Sequence, residues 1–329
     1  MNRSTVPPPV TVALDAAESW LPREMAAVER RLGELADGHG GSLGEQASAT
    51  LAAGGKRLRP MLVLLCAGPG AGEGAVRAAT AVELVHMATL VHDDVLDAAP
   101  LRRGHPTVFA RAGRPLATAV GDLLFSRAFA ELAPGDGGAE RRVRLLAAAC
   151  VGLARGELAQ RRDAFDVSIT AERYLERCLL KTASLFECAC LIGSDPEPAG
   201  AEDDALRVYG REIGLAFQLL DDVLDVAGPP ERTGKARGTD LLDGTVTLPL
   251  IRARALDGSL AGLDLRALDA AGADAACDRI AATGALDEVR AEARERVGSA
   301  KAALAASGLD ADRRRLLTLV ADGVVERYS

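Results

Sequence analysis

The stretch Ala75–Asp97 reads AVRAATAVELVHMATLVHDDVLD, and its last five letters, DDVLD, return at Asp221–Asp225, closing the stretch 203–226, DDALRVYGREIGLAFQLLDDVLDV. Both stretches are apolar at helical spacing, and strand signals are absent from them. On a helix, residues i and i+4 sit one above the other and i+1 lies about 100° round. Each pentapeptide therefore aims two or three carboxylates at one region. Such a group repels itself unless a cation sits there. Each also falls at the C-terminal end of its helix, where the dipole is already negative, and a bound cation would correct that placement. Two chance surface clusters are the plain alternative, and two identical copies inside apolar helices argue against it.

The ligands on offer are oxygens, with no Cys or His repeat at zinc spacing, which favours a hard cation. Magnesium is held characteristically by a few carboxylates plus substrate phosphates, so the pair of clusters points to a diphosphate between facing helices. Calcium fits less well, because an EF-hand loop needs alternating ligands, a Gly at its sixth position and a Glu at its end. His92 and Asp93 also form a His-Asp doublet of the kind used by metal-dependent phosphohydrolases, in a chain with only four histidines.

Composition sets the class. At 329 residues the chain can bury a substantial core, and no break in composition divides it. Aromatics make up only 3%, Ala and Leu dominate, and β-branched runs between turn signals are scarce, so an all-α protein is expected. The reading is a tail over residues 1–9 followed by one domain over 10–329. A formal charge of −8 argues against nucleic acid as a partner, since that would need a basic face. The six cysteines, Cys66, Cys150, Cys178, Cys188, Cys190 and Cys277, lack metal-site spacing and read as small core residues in a reducing compartment. The start of the chain is Pro-rich (Pro7, Pro8, Pro9) rather than charged then apolar, and no run of about 18 uninterrupted apolar residues follows, so neither a secretory signal nor a transmembrane segment is read and a cytoplasmic protein is expected.

Along the chain, helical periodicity spans about Val10–Leu35, Ala75–Leu96, Pro115–Leu132, Glu140–Ala164, Ala171–Ile192 and Asp203–Val226. Residues Pro100–Thr107 read as a loop. A Gly- and Pro-containing segment, Gly228–Gly244, carries Lys235 and reads as a mobile flap. The last third reads as Ala-rich amphipathic helix, a scaffold or subunit interface.

Two basic groups complete the pattern: GGKRLRP, with Lys56, Arg57 and Arg59, and LRRGHPT, with Arg102, Arg103 and His105. Each alone could be a solvated helix end. Beside an acidic cluster they are better explained as anion holders, Arg pairing bidentately with phosphate and Lys acting as a point charge. The ordered set GGKRLRP, HDDVLD, LRRGHPT, GDLLFSRAF, LKTASLF, FQLLDDVLD and GKARGTDLLDGTVTLPL resembles the trans-isoprenyl diphosphate synthase family from about Gly54 to Leu250. The resemblance implies a single-domain bundle of antiparallel helices around a deep central cavity, with the acidic motifs facing across its mouth, usually in a homodimer.

The resemblance also implies roles. Asp93, Asp94 and Asp97, with Asp221, Asp222 and Asp225, would surround Mg2+ ions that bind an allylic diphosphate. Lys56, Arg59, His86 and Arg103 would hold isopentenyl diphosphate; Arg102, Lys181, Thr182, Gln218 and Lys235 would contact the allylic diphosphate. His86 without that context reads as a hydrogen-bonded core histidine. One position departs: many relatives have lysine where this chain has Thr245, one cation fewer near the leaving pyrophosphate. Four and five residues before Asp93 stand Thr89 and Ala88, where short-chain members place an aromatic floor. The small side chains imply a product longer than farnesyl, C20 or more, with a medium or long polyprenyl chain preferred to geranylgeranyl, unless another side chain such as Phe129 or Leu153 blocks the tunnel. A class I terpene cyclase and a noncatalytic prenyl synthase subunit are the competing readings. The first has no need of an isopentenyl diphosphate site, and the second would be expected to lose metal ligands.

Overall fold

The computed structural model describes residues 8–38, 40–52, 57–102, 104–133, 138–194, 200–228 and 237–326. Helix α1 (Pro8–Ala16) already contains the last two residues assigned to the tail, and the rest of that tail lies outside the described residues. The helix expected over Val10–Leu35 divides before α2 (Leu21–Asp37), whose first turn contains Pro22. Proline is tolerated there because the N–H it lacks would have no helical partner anyway. Leu21, Met25, Val28, Leu32 and Ala36 repeat at three and four residues and bury one face of α2.

After α3 (Gly41–Ala52) and α4 (Leu58–Ala67) comes α5 (Gly72–Leu96). It is apolar on all sides, and fourteen of its residues, from Val76 to Val95, are buried. A helix of that composition belongs in the middle of a protein. Its length and hydropathy would also suit a membrane span, but two-thirds of its apolar window is covered by protein, through contacts with α2, α3, α4 and the later α6, α7 and α9.

The expected loop after α5 contains a two-residue antiparallel ladder, β1 (Leu101–Arg102) on β2 (His105–Pro106). Thr107 anchors it: its hydroxyl donates to the Ala99 carbonyl at 2.6 Å and accepts from the Ala110 N–H at 3.0 Å, capping α6 (Val108–Leu132). That helix starts earlier than Pro115, and the proline marks a break inside it, where Gly113 takes φ of 77°. Helix α7 (Ala139–Arg162) follows.

The stretch 171–192 is not one regular helix. It comprises α8 (Ala171–Cys178), a π turn (Leu179–Ala183) and α9 (Ser184–Gly193). Two neighbouring helices close on that turn. A Cβ added to Gly156 of α7 would stand 2.5 Å from the backbone nitrogen of Lys181, and one on Gly214 of α10 (Ala201–Ala227) would stand 2.7 Å from the Cα of Ala183. Glycine in a helix interior costs about 1 kcal/mol against alanine; here it lets three backbones approach one another. Helices α11 (Thr239–Leu242), α12 (Leu248–Leu256), α13 (Ala270–Ala282), α14 (Ala285–Ala305) and α15 (Ala311–Glu326) complete the chain, with α14 lying along α10 as scaffold. All six cysteines are free, five buried and Cys150 half-buried, in keeping with their reading as core residues. Burial pushes the Cys178 thiol up to about 12, so it stays protonated.

Candidate active site

The first acidic group splits as the helix turns. Asp93 and Asp97 share a face of α5, while Asp94, one residue on, is buried on another and accepts from Arg102 Nε at 2.7 Å. Lys181 Nζ lies 3.8 Å from Asp93 and donates to Glu157 of α7. Arg161 Nη2 is 2.5 Å from Asp97, and its Nε is 2.8 Å from the same Glu157. Glu157 thus holds a lysine and an arginine, each of which reaches a carboxylate of the first group. Those two cations lower the carboxyl pKa of Glu157 against its own burial, whereas burial pushes Asp93 up to about 6.

The second group splits in the same way. Asp221 is exposed and Asp225 half-buried, one turn apart; Asp225 accepts from the Asp240 N–H at 3.2 Å. Asp222 is buried and fully engaged, accepting from the Tyr174 hydroxyl at 2.5 Å and from Gln218 Nε2 at 2.7 Å. Burial is the main cause that pushes its carboxyl up to about 7, opposed by those two hydrogen bonds and by the Arg177 guanidinium. Gln218 in turn accepts from the Thr182 hydroxyl at 2.8 Å.

Lys181 and Thr182 are consecutive residues of the π turn, one reaching Asp93 and the other linked through Gln218 to Asp222. The two acidic helix ends therefore meet across one turn of chain. This alters the expectation of six converging carboxylates. Rotation of about 100° per residue sends Asp94 and Asp222 to protein donors, and Asp93, Asp97, Asp221 and Asp225 are left on the more open faces. Among the described residues no three acidic, His or Cys side chains form a ready-made metal group. The donor set still fits magnesium: hard oxygens at helix C-termini, those of Asp93 and Asp97 facing Lys181 and Arg161, with the charge on half-buried Asp93 penalised by desolvation.

The basic groups divide as well. Arg57 is no anion holder. It is buried, 2.7 Å from both Glu29 and Glu83, and hydrogen-bonded to the Leu51 carbonyl at 3.2 Å. Its backbone takes the left-handed φ of 48° at the start of α4, a strain of about 1–3 kcal/mol that the pairing must hold. Arg57→Met leaves two carboxylates without their cation and should destabilise the fold by about 3–5 kcal/mol. Chemical denaturation checks this; a midpoint like that of the wild type would contradict it. Arg59 stands 4.5 Å over the Phe186 ring. His86 is half-buried, and its carbonyl accepts from the Thr89 hydroxyl at 2.7 Å. Lys56, Arg103 and Lys235 lie outside the described residues.

Two further expectations change. Ala88 is fully enclosed, in contact with no water-sized space, while Thr89 and Leu90 are half-buried on the face that leads to Asp93. Of the two, Thr89 is therefore the side chain with open surface, and Ala88 has none. The His92–Asp93 doublet does not converge: His92 stacks on Phe125 at 5.7 Å and approaches Asp122 at 3.4 Å, both on α6. Three site residues escaped sequence reading. Glu157 and Arg161 stand four apart, so they share a face of α7 beside the first acidic group. Tyr174 lies seven residues before Lys181, a two-turn spacing that could have shown it.

An all-α bundle whose acidic helix ends meet at a lysine-bearing π turn is an isoprenoid synthase fold. The chain belongs to the polyprenyl synthetase family, whose description matches residues 42–263, and its class of activity is that of a prenyltransferase. It is 42% identical over 245 residues to heptaprenyl diphosphate synthase component 2 of Geobacillus stearothermophilus, covering 73% of this chain and 75% of that one. Among solved structures it is similar to heptaprenyl diphosphate synthase of Staphylococcus aureus (TM-score 0.86, 29% identity, 94% of this chain and 99% of that one). It is also similar to a decaprenyl diphosphate synthase of Rhodobacter capsulatus (TM-score 0.85, 34% identity, 96% and 99%).

Proposed function

We propose that this chain joins isopentenyl diphosphate to an allylic diphosphate and repeats the step to a product of C20 or longer, a medium- or long-chain polyprenyl diphosphate. The observation that carries the reading is the meeting of both acidic helix ends at Lys181 and Thr182. The heptaprenyl and decaprenyl names of its relatives favour the longer products.

Asp93 and Asp97 on one side, and Asp221 and Asp225 on the other, would hold magnesium. When bound, Mg2+ supplies charge neutralisation for a departing diphosphate. Asp94 and Asp222, tied to Arg102 and to Tyr174 and Gln218, would orient the helix ends. Lys181 and Arg161, parked on Glu157, can turn to substrate phosphate as positive charge arrives at Asp93 and Asp97. Breaking the allylic carbon–oxygen bond leaves a cation and a pyrophosphate, so preorganised positive charge on the leaving group lowers the barrier. The double bond of isopentenyl diphosphate then attacks, and a proton passes to the pyrophosphate. Water must be kept from the cation, which asks for an apolar, closed pocket around it.

For chain length, Thr89→Phe should shorten the product, read by mass analysis of the extracted prenyl alcohols; an unchanged length would remove Thr89 from the tunnel wall. Ala88→Phe instead overpacks a closed site, costing about 1–3 kcal/mol. The pH dependence has a definite sign. Asp93 and Asp222 have folded pKa values raised above the ordinary 3.8, so their contribution to stability is present below about pH 4 and is lost as pH rises through about 6 to 7. The metal-free protein should melt lower at pH 8 than at pH 5, and the rise in Tm on adding Mg2+ should be larger at pH 8, because binding displaces protons. Equal Mg2+ shifts at both pH values would contradict this.

We also propose a cytoplasmic homodimer. Val151 and Leu158, seven apart on α7, are 59% and 63% exposed, a stripe suited to a second copy. A relative called component 2 makes a heteromer the other arrangement to test. The deciding experiment incubates the purified chain alone with Mg2+ and an allylic diphosphate, with and without isopentenyl diphosphate. Elongated product only when both substrates are present supports the reading. Equal product without isopentenyl diphosphate favours a cyclase, and none in either case favours a noncatalytic subunit.

A further inference from the structure

Arg177 of α8 stands behind the second acidic helix end, with 4% of its surface exposed. Its Nη2 donates to the Val246 carbonyl at 2.7 Å. Its guanidinium carbon lies 5.3 Å from the centroid of the Tyr174 ring, whose hydroxyl is the donor to Asp222. Its Nη1 is enclosed and has no hydrogen-bond acceptor among the described residues. The residues gathered at this corner are acidic: Asp221, Asp222 and Asp225 on α10, and Asp240, whose N–H reaches Asp225.

Part of its role is structural: it donates to the buried Val246 carbonyl and offsets the cost of the Asp222 charge. That leaves Nη1 unexplained, since a buried cation with an unfilled donor is costly. What the guanidinium does supply is one fixed, buried positive charge among these carboxylates, next to Tyr174 and to the segment that carries the uncharged Thr245. Charge fixed in such a place acts on a developing anion at little cost in reorganisation.

We propose that Arg177 is a positioning residue for the prenyl transfer, providing from α8 the fixed positive charge behind the second acidic group and, through Tyr174 and the Val246 carbonyl, holding Asp222 and the segment around Thr245 in register. It acts through these groups and does not itself touch substrate. The proposal rests on the reading under Proposed function and narrows it to one charge in one place.

The test uses the full chain with Mg2+, an allylic diphosphate and isopentenyl diphosphate, comparing wild type, Arg177→Met, Arg177→Gln and each of these combined with Thr245→Lys. The Met and Gln variants should melt below the wild-type temperature, Met more than Gln, yet stay folded at the assay temperature, while kcat falls about 10- to 100-fold with little change in KM for isopentenyl diphosphate. Thr245→Lys, placing a charge one residue from the carbonyl that Arg177 holds, should restore most of the lost kcat in either background. Turnover of both single variants within twofold of wild type would overturn the proposal. So would a loss of kcat that tracks a loss of Tm and is not rescued by lysine at position 245. The Gln variant keeps a donor for Val246 without the charge, so the outcome stands if the Met variant does not fold. A wild-type chain that elongates nothing would instead defeat the reading of function, and the two failures are distinct.

Discussion

Asp93→Asn should leave a folded protein whose kcat is lower by about a thousandfold or more. Asparagine has nearly the same shape, so packing at the end of α5 is preserved. Burial already penalises the charge at Asp93, raising its carboxyl to about 6, so the variant should melt at or slightly above the wild-type temperature in the absence of Mg2+. What it loses is one of the two carboxylates on that face, and with it the local excess of negative charge. Lys181 and Arg161 would then stand against Glu157 and Asp97 alone, which makes the site electrically neutral and weakens its hold on a divalent cation. Steady-state kinetics across an Mg2+ titration measures both effects. Activity within tenfold of wild type at ordinary Mg2+ would show that Asp93 is not part of the chemistry.

Gly156→Val should cost both stability and turnover. Its Cβ would stand 2.5 Å from the nitrogen of Lys181 and 2.8 Å from its Cα, and these are backbone atoms that cannot swing aside. Either α7 moves away or the π turn shifts. Overpacking of this kind destabilises by about 1–3 kcal/mol, and a displacement of about 1 Å at a catalytic group can lower turnover about a hundredfold. Gly298 of α14 provides the control, because an added Cβ there meets nothing within 4 Å. Gly298→Ala should stabilise the helix by up to about 1 kcal/mol and leave kcat unchanged. A Gly156→Val protein with wild-type turnover would mean that the close packing of α7 on the turn does not set the position of Lys181.

Much of this arrangement was legible from spacing. The apolar stretch Ala75–Asp97 read as a helix and forms the centre of the bundle, with its acidic end where the sequence placed it. Resemblance pointed to Lys181, Thr182 and Gln218, and the structure brings all three between the two acidic helix ends. The division of each acidic group was also within reach, since it follows from the same 100° rotation that suggested convergence. Other features depend on contacts that no local pattern reveals. Arg57 meets partners 28 and 26 residues away, Glu29 and Glu83, which turn a supposed phosphate ligand into a structural cross-link. The π turn needs neighbours that approach closely on both sides, and its sequence trace is indirect: glycines four apart at Gly152 and Gly156 on α7, and at Gly210 and Gly214 on α10. Full burial of Ala88 could not be separated from the half-burial of Thr89 by their types alone, because both are small and adjacent.

The most direct measurement is a crystal structure with Mn2+ and a non-hydrolysable allylic diphosphate, using anomalous scattering to find the cations. The account predicts metal peaks about 2.1 Å from carboxylate oxygens of Asp93 or Asp97 and of Asp221 or Asp225. The diphosphate should lie between them, with Lys181 turned from Glu157 towards its oxygens. Cations and diphosphate bound only elsewhere on the bundle, with Lys181 still on Glu157, would contradict it.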